Sequence, residues 1–155
     1  MKTNIYGYRS QNKGLVDDIF MAAWFYGLKL LGGRQARHIW LDVKLTKDLK
    51  KNSGGYAFCY ITGEVNKPRE FEIELDASMK FGLEEILKWL AHEMVHLKQF
   101  VKGELCDYEN KKVQWKSKLL SDDMCYEDMP WEKEAYRLET KLYNEFAEWY
   151  YDEEQ

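Results

Sequence analysis

Residues 83–101 constrain the fold most tightly. Leu83, Leu87, Leu90, Met94, Leu97 and Val101 recur at intervals of 4-3-4-3-4, the apolar stripe of one amphipathic helix. At about 100° per residue, His92 and His96 fall roughly 180° and 220° from Leu83, on the far side of that helix. Trp89 and Phe100 fall beside them at roughly 240° and 260°. The histidine side is therefore not simply solvated, and the spacing predicts a helix covered on two sides. His92-Glu93-Met94-Val95-His96 has the form H-E-x-x-H and uses two of the three histidines in the chain. Four residues advance about 400° around a helix, so both imidazoles point the same way, roughly 6 Å apart along the axis. That arrangement suits one metal ion. The adjacent Glu93 is placed to take a proton from metal-bound water.

The remaining elements predict an α+β chain with a single domain over 1–155. Gly14 to Leu31 reads as a helix ended by Gly32-Gly33, apolar almost all round and so heavily buried. Ile39, Leu41, Val43 and Leu45 alternate with polar neighbours as a half-buried strand. Asn52 to Gly55 is a turn, and Tyr56 to Ile61 a second strand. Phe71, Ile73 and Leu75 alternate with Glu70, Glu72 and Glu74 in a third. Short links favour an antiparallel meander for the second and third strands, hence a small three-stranded, largely antiparallel sheet. In Asn110 to Met129, Val113 and Trp115 alternate with lysines, which suits a short strand or hairpin arm as well as a helix, and 121–129 reads as an acidic loop. A last helix spans Pro130 to Tyr151, with Trp131, Ala135, Leu138, Leu142, Phe146 and Trp149 as its stripe.

Composition narrows the function. Apolar residues make up 45% and aromatics 15%, enough for a globular core. A net charge of −4 lacks the electrostatic footprint of a general nucleic-acid binder, so no nucleic-acid partner is expected. Lys47, Lys50 and Lys51 read as a solvated turn. Cys59, Cys106 and Cys125 match no zinc-ribbon or CxxC spacing and read as reduced thiols of an intracellular protein. The polar stretch Met1 to Lys13 predicts no secretory signal, and the apolar run 19–31 is too short to span a bilayer. A cytoplasmic location with no membrane association is the expectation.

Catalytic zinc usually has three protein ligands. No histidine follows His96, and Gln99 and Lys102 stand where the longer metzincin pattern needs glycine and histidine. The third ligand must then be Glu, Asp or Cys. Pro130-Trp131-Glu132-Lys133-Glu134-Ala135 is the best candidate segment. With Pro130 at the first helical position, Glu132 is placed to cap the helix start. Glu134 lies beyond that cap, one residue before a small Ala135, and is assigned as the metal ligand. Helical angles do not separate the two, because Glu132 flanks the stripe at a similar offset on its other side. Tyr108, Tyr126 and Tyr136 are candidate donors to an oxyanion.

These two segments together resemble the gluzincin metallopeptidases of the zincin-like superfamily. The closer resemblance is to small SprT-like metallopeptidases of bacteriophage genomes. Members pair H-E-x-x-H, followed by Lys-Gln and Lys-Gly-Glu, with Pro-Trp-Glu-x-Glu-Ala. This chain has Lys98-Gln99, Lys102-Gly103-Glu104 and 130–135 in that order, and the likeness covers about residues 38–140. SprT and Spartan proteins proper use a later histidine as third ligand, which this chain lacks. The resemblance implies a zincin fold, in which a helix-backed sheet precedes the histidine helix. It also implies a zinc peptidase, with Zn²⁺ on His92, His96 and Glu134 and Glu93 as general base. Strand 71–75 is expected to be an edge that receives an extended peptide. Glu70, Glu72 and Glu74 would then favour a basic substrate, with a solvated acidic face as the plainer account. The alternative is a catalytically silent zincin-like scaffold that holds zinc and binds a protein partner, such as a phage structural or host-interaction protein.

Overall fold

In a computed structural model describing residues 1–8, 13–108, 112–121 and 123–152, the chain is α+β. β1 (Lys2–Gly7) leads into α1 (Lys13–Ala36), then β2 (Trp40–Thr46), α2 (Leu49–Ser53), β3 (Ala57–Ile61) and β4 (Glu70–Asp76). α3 (Leu83–Val101) carries the two histidines. A small sheet follows, of β5 (Leu105–Tyr108), β6 (Lys112–Trp115) and β7 (Lys118–Ser121). A 3₁₀ turn at Tyr126–Asp128 then leads to α4 (Pro130–Asp152).

The larger sheet has four strands in the order β1-β2-β4-β3. β3 and β4 pair antiparallel, as their short link predicts. The expectation of a largely antiparallel three-stranded sheet is corrected in two ways. β1 is a fourth strand, and β1–β2 and β2–β4 are both parallel. A parallel neighbour requires a crossover connection, and α1 supplies it between β1 and β2. Thr3 and Ile5 alternate with Lys2, Asn4 and Tyr6 too weakly for the sequence to reveal β1. β4 is also an interior strand rather than the expected edge, because β2 lies on one side and β3 on the other. The edge beside the histidines is β3.

The period-two pattern decides which face is covered. Leu41, Val43 and Leu45 of β2 lie in register with Phe71, Ile73 and Leu75 of β4, and all six are buried against the helices. The other face is open, with Lys2, Asn4, Tyr6, Trp40, Lys44 and Tyr60 exposed. α1 is less enclosed than its composition suggests. Ile19, Ala22, Ala23 and Tyr26 are buried, but Phe20 and Trp24 remain exposed. The helix breaks where the paired glycines predict, at Gly32, whose φ of 76° and ψ of 161° are not helical. The alternation at Val113 and Trp115 proves to be β6. Asn110 lies outside the described residues.

α3 and α4 have the predicted spans to within a residue and pack antiparallel. Lys88 meets Tyr143, His92 meets Glu139, and Gln99 meets Trp131. Phe146 anchors this arrangement. It is fully buried and its ring meets Phe25 at 5.6 Å and Tyr26 at 5.8 Å. No helix among the described residues is long and apolar enough to cross a membrane. Phe146→Ala removes a buried ring shared by α1 and α4. Chemical denaturation should show a loss of about 3–5 kcal/mol. A loss under about 1 kcal/mol would mean that the α1–α4 contact is not part of the cooperative core.

Candidate metal centre

The site lies between α3 and α4. His92, His96 and Gln99 follow a 4-3 spacing along α3, so they share one face. Glu132, Tyr136 and Glu139 repeat the 4-3 spacing along α4. The two rows face each other. Glu132 Oε1 lies 2.9 Å from His92 Nε2 and 3.0 Å from His96 Nε2. The distal nitrogens are held as well, His92 Nδ1 by Glu139 Oε2 at 3.0 Å and His96 Nδ1 by Gln99 Oε1 at 2.9 Å. The Tyr126 hydroxyl donates to Glu132 Oε1 at 2.9 Å and lies 3.4 Å from the Tyr136 hydroxyl. The Tyr136 ring sits against His92 with centroids 4.6 Å apart. His92, Glu93, His96 and Glu132 are all buried, each less than a tenth exposed.

The expected ligand set is therefore corrected at one position. His92 and His96 converge as the spacing requires, but Glu132 joins them in place of Glu134. Among the described residues, His92, His96 and Glu132 are the one group of three whose ligand atoms lie within 4.8 Å of one another. Pro130 does occupy the first helical position, yet the Glu132 carboxylate turns toward α3 instead of capping its own helix. Glu134 leaves from the other flank of the stripe and pairs with Lys98 Nζ at 2.7 Å. Glu132 is the alternative that helical angles left level with Glu134, whereas Glu139 and Gln99 are site residues that the sequence reading does not single out. The signal that could have found them is the matched 4-3 spacing on two antiparallel helices. The side chain of Tyr108 lies outside the described residues.

The donor set fits a cation. A neutral imidazole carries one proton, yet each of these rings has an oxygen acceptor at both nitrogens. With the Nδ1 protons committed to Glu139 and Gln99, both Nε2 lone pairs point at the same carboxylate oxygen. Burying that arrangement is repulsive unless positive charge lies among the three atoms, either extra protons or a metal ion. A tetrahedral ion with bonds of about 2.0–2.1 Å holds its ligands roughly 3.4 Å apart, close to the separations found. The outer oxygens at each Nδ1 are the partners that metal-bound histidines usually have.

Without metal, protons carry this charge. Burial works against the His92 cation, but contacts with Glu132 and Glu139 and the charge of Glu93 raise its pKa from 6.5 to about 9. His96 moves the same way, its burial outweighed chiefly by Glu132. Burial would raise Glu132, but the hydrogen bonds from both histidines pull it well below the usual carboxylate range. Burial raises Glu93, against the attraction of His96 and His92.

These residues line a cleft of about 620 Å³, bounded also by Gly54 to Tyr60, Trp89, Tyr126 and Tyr136. Among the described residues, no lysine or arginine lines the cleft. Its wall opposite α4 is β3, whose outer edge is unpaired among the described residues. No protein-family model, no curated protein and no solved structure matches this chain.

The pKa shifts set a pH dependence for the metal-free protein. His92 is more basic folded than unfolded, so its contribution to stability is complete below about pH 6.5 and lost as pH rises through about 9. The Glu132 contribution runs the other way, present above about pH 4.5 and lost as pH falls. Thermal unfolding with chelator should therefore show a midpoint that declines from about pH 6.5 to 9. A divalent metal ion should reverse the decline, because it replaces the protons that leave. A flat profile in chelator would mean that the histidines carry no such proton.

Proposed function

We propose that the chain is a zinc-dependent metallopeptidase with His92, His96 and Glu132 as its metal ligands. The observation that carries this reading is the single carboxylate oxygen shared by two imidazole Nε2 atoms at 2.9 and 3.0 Å. Two imidazoles and one carboxylate, with the fourth side open to a cleft, match a catalytic rather than a closed structural zinc site. Zinc bound there would lower the pKa of a coordinated water toward about 7 and polarise a carbonyl.

The chain's own residues supply the rest. Glu93 follows the first histidine directly and lines the cleft, and in this reading its carboxylate would take the water proton and deliver it to the leaving nitrogen. Its burial raises its proton affinity, which suits a group that must hold a proton for part of a cycle. The Tyr126 and Tyr136 hydroxyls stand at the same end of the cleft and can donate to a carbonyl oxygen as it gains charge. The edge of β3 offers backbone groups to an extended peptide, which would dock by strand addition. Phe58 and Tyr60 flank that edge, their rings 6.1 Å apart. The acidic row expected to select a substrate, Glu70, Glu72 and Glu74, lies one strand further in. There Glu72 already accepts from Tyr6 and Glu74 from Thr46. The likeness to SprT-like phage proteins agrees with this reading and adds no independent weight.

The test combines bound zinc with cleavage of a peptide library. Wild type should bind one zinc per chain and cut. Glu93→Gln should keep the zinc and lose about 10²–10⁴-fold in cleavage rate. Glu132→Ala should lose tight zinc binding, whereas Glu134→Ala should retain one zinc. Full zinc in Glu132→Ala would remove the ligand assignment. Zinc without cleavage in wild type would favour the scaffold reading.

A further inference from the structure

Glu134 is not a ligand, yet it is held with care. Its Oε1 accepts from Lys98 Nζ at 2.7 Å and from Gln99 Nε2 at 3.2 Å. Gln99 Nε2 also donates to the Trp131 carbonyl at 3.0 Å. Both protons of the Gln99 amide nitrogen therefore have acceptors on α4. That leaves the amide oxygen on the other side, 2.9 Å from His96 Nδ1. Gln99 is fully buried, so no solvent competes for these positions. Rotating the amide by 180° would set its NH₂ against a ring nitrogen and its oxygen against Glu134 and the Trp131 carbonyl. Both contacts to α4 would become repulsive, and the NH₂ would then call for an unprotonated Nδ1 on His96.

We propose that Gln99 and Glu134 are positioning residues: Glu134 fixes which way the Gln99 amide faces, and Gln99 thereby fixes His96 with its proton on Nδ1 and its Nε2 lone pair on the metal position. This rests on the metal-site reading above. The two histidines are thus oriented by different devices. His92 faces a carboxylate, Glu139, directly. His96 faces a neutral amide whose direction is set by a carboxylate one step further out. Lys98 extends the chain, since its Nζ also lies 2.7 Å from Glu104 Oε1, next to β5. The loop entering the small sheet is thereby tied to the orientation of one metal ligand.

The experiment measures zinc affinity by chelator competition and, on Co²⁺-loaded protein, the hyperfine-shifted imidazole N–H protons by NMR. Wild type should show two such protons, both slow to exchange with solvent. Gln99→Met, close in volume but without the amide, should weaken zinc binding about 10–100-fold, with rapid exchange of one proton. Glu134→Ala should weaken binding less, by under about tenfold, with the same proton affected. Glu134→Gln keeps an acceptor for the Gln99 amide, so it should restore affinity and slow exchange. A merely structural role would move unfolding temperature in all three variants and leave the N–H signals alone. Two protected protons and wild-type affinity in both Gln99→Met and Glu134→Ala would overturn the proposal. If Gln99→Met does not fold, Glu134→Ala against Glu134→Gln decides the matter, since Glu134 is on the partly exposed flank. Failure of wild type to bind zinc or Co²⁺ would instead overturn the metal-site reading.

Discussion

A buried carboxylate oxygen placed between two imidazoles is the constraint on which this structure turns. Glu132 Oε1 is within 3.0 Å of both histidine Nε2 atoms and also accepts from Tyr126. Such an atom is tolerable inside a protein only with positive charge beside it. The apolar packing beneath makes the approach possible. Ala135, fully buried three residues after Glu132, has no bulk to push α4 away from α3. Trp131 and Phe146 fix α4 at its two ends, one against the small sheet and the other against α1. The polar rows then meet because two helices with the same 4-3 spacing run in opposite directions.

The sheet contributes a wall rather than ligands. Its covered face is apolar throughout β2 and β4, so α3 lies firmly across it. Only β3, at the edge, borders the cleft. Under the function proposed above, an extended chain along that edge, unpaired among the described residues, would have its backbone groups satisfied and one carbonyl near the proposed metal position. The small sheet works at longer range. It supplies the packing for Trp131, and Glu104 at its start joins the Lys98–Glu134 pair.

Much of this was legible in the residues. α3 and α4 are legible from 3.6-residue periodicity to within a residue, β2 and β4 from alternation, and β3 from its aromatic and apolar run. The histidine pair and the glutamate beside it are legible from local spacing, which an isolated helix already imposes. β1 was not legible, because an edge strand with three outward polar residues carries little pattern. Parallel pairing was not legible either, since alternation says which face is buried and nothing about strand direction.

The choice between Glu132 and Glu134 shows where local information stops. Both flank the apolar stripe of α4 at similar angles, and each reaches toward α3 on a different side. The sequence by itself determined that two imidazoles share a helix face and that, with no later histidine, any third ligand would be Glu, Asp or Cys, with Glu132 and Glu134 the leading pair. Which carboxylate joins the histidines depends on how α4 crosses α3, and that crossing is set by core side chains that belong to no polar row, at Ala135, Leu142 and Phe146. A ligand set drawn from one helix is encoded in its periodicity; a ligand brought by a second helix is decided by packing.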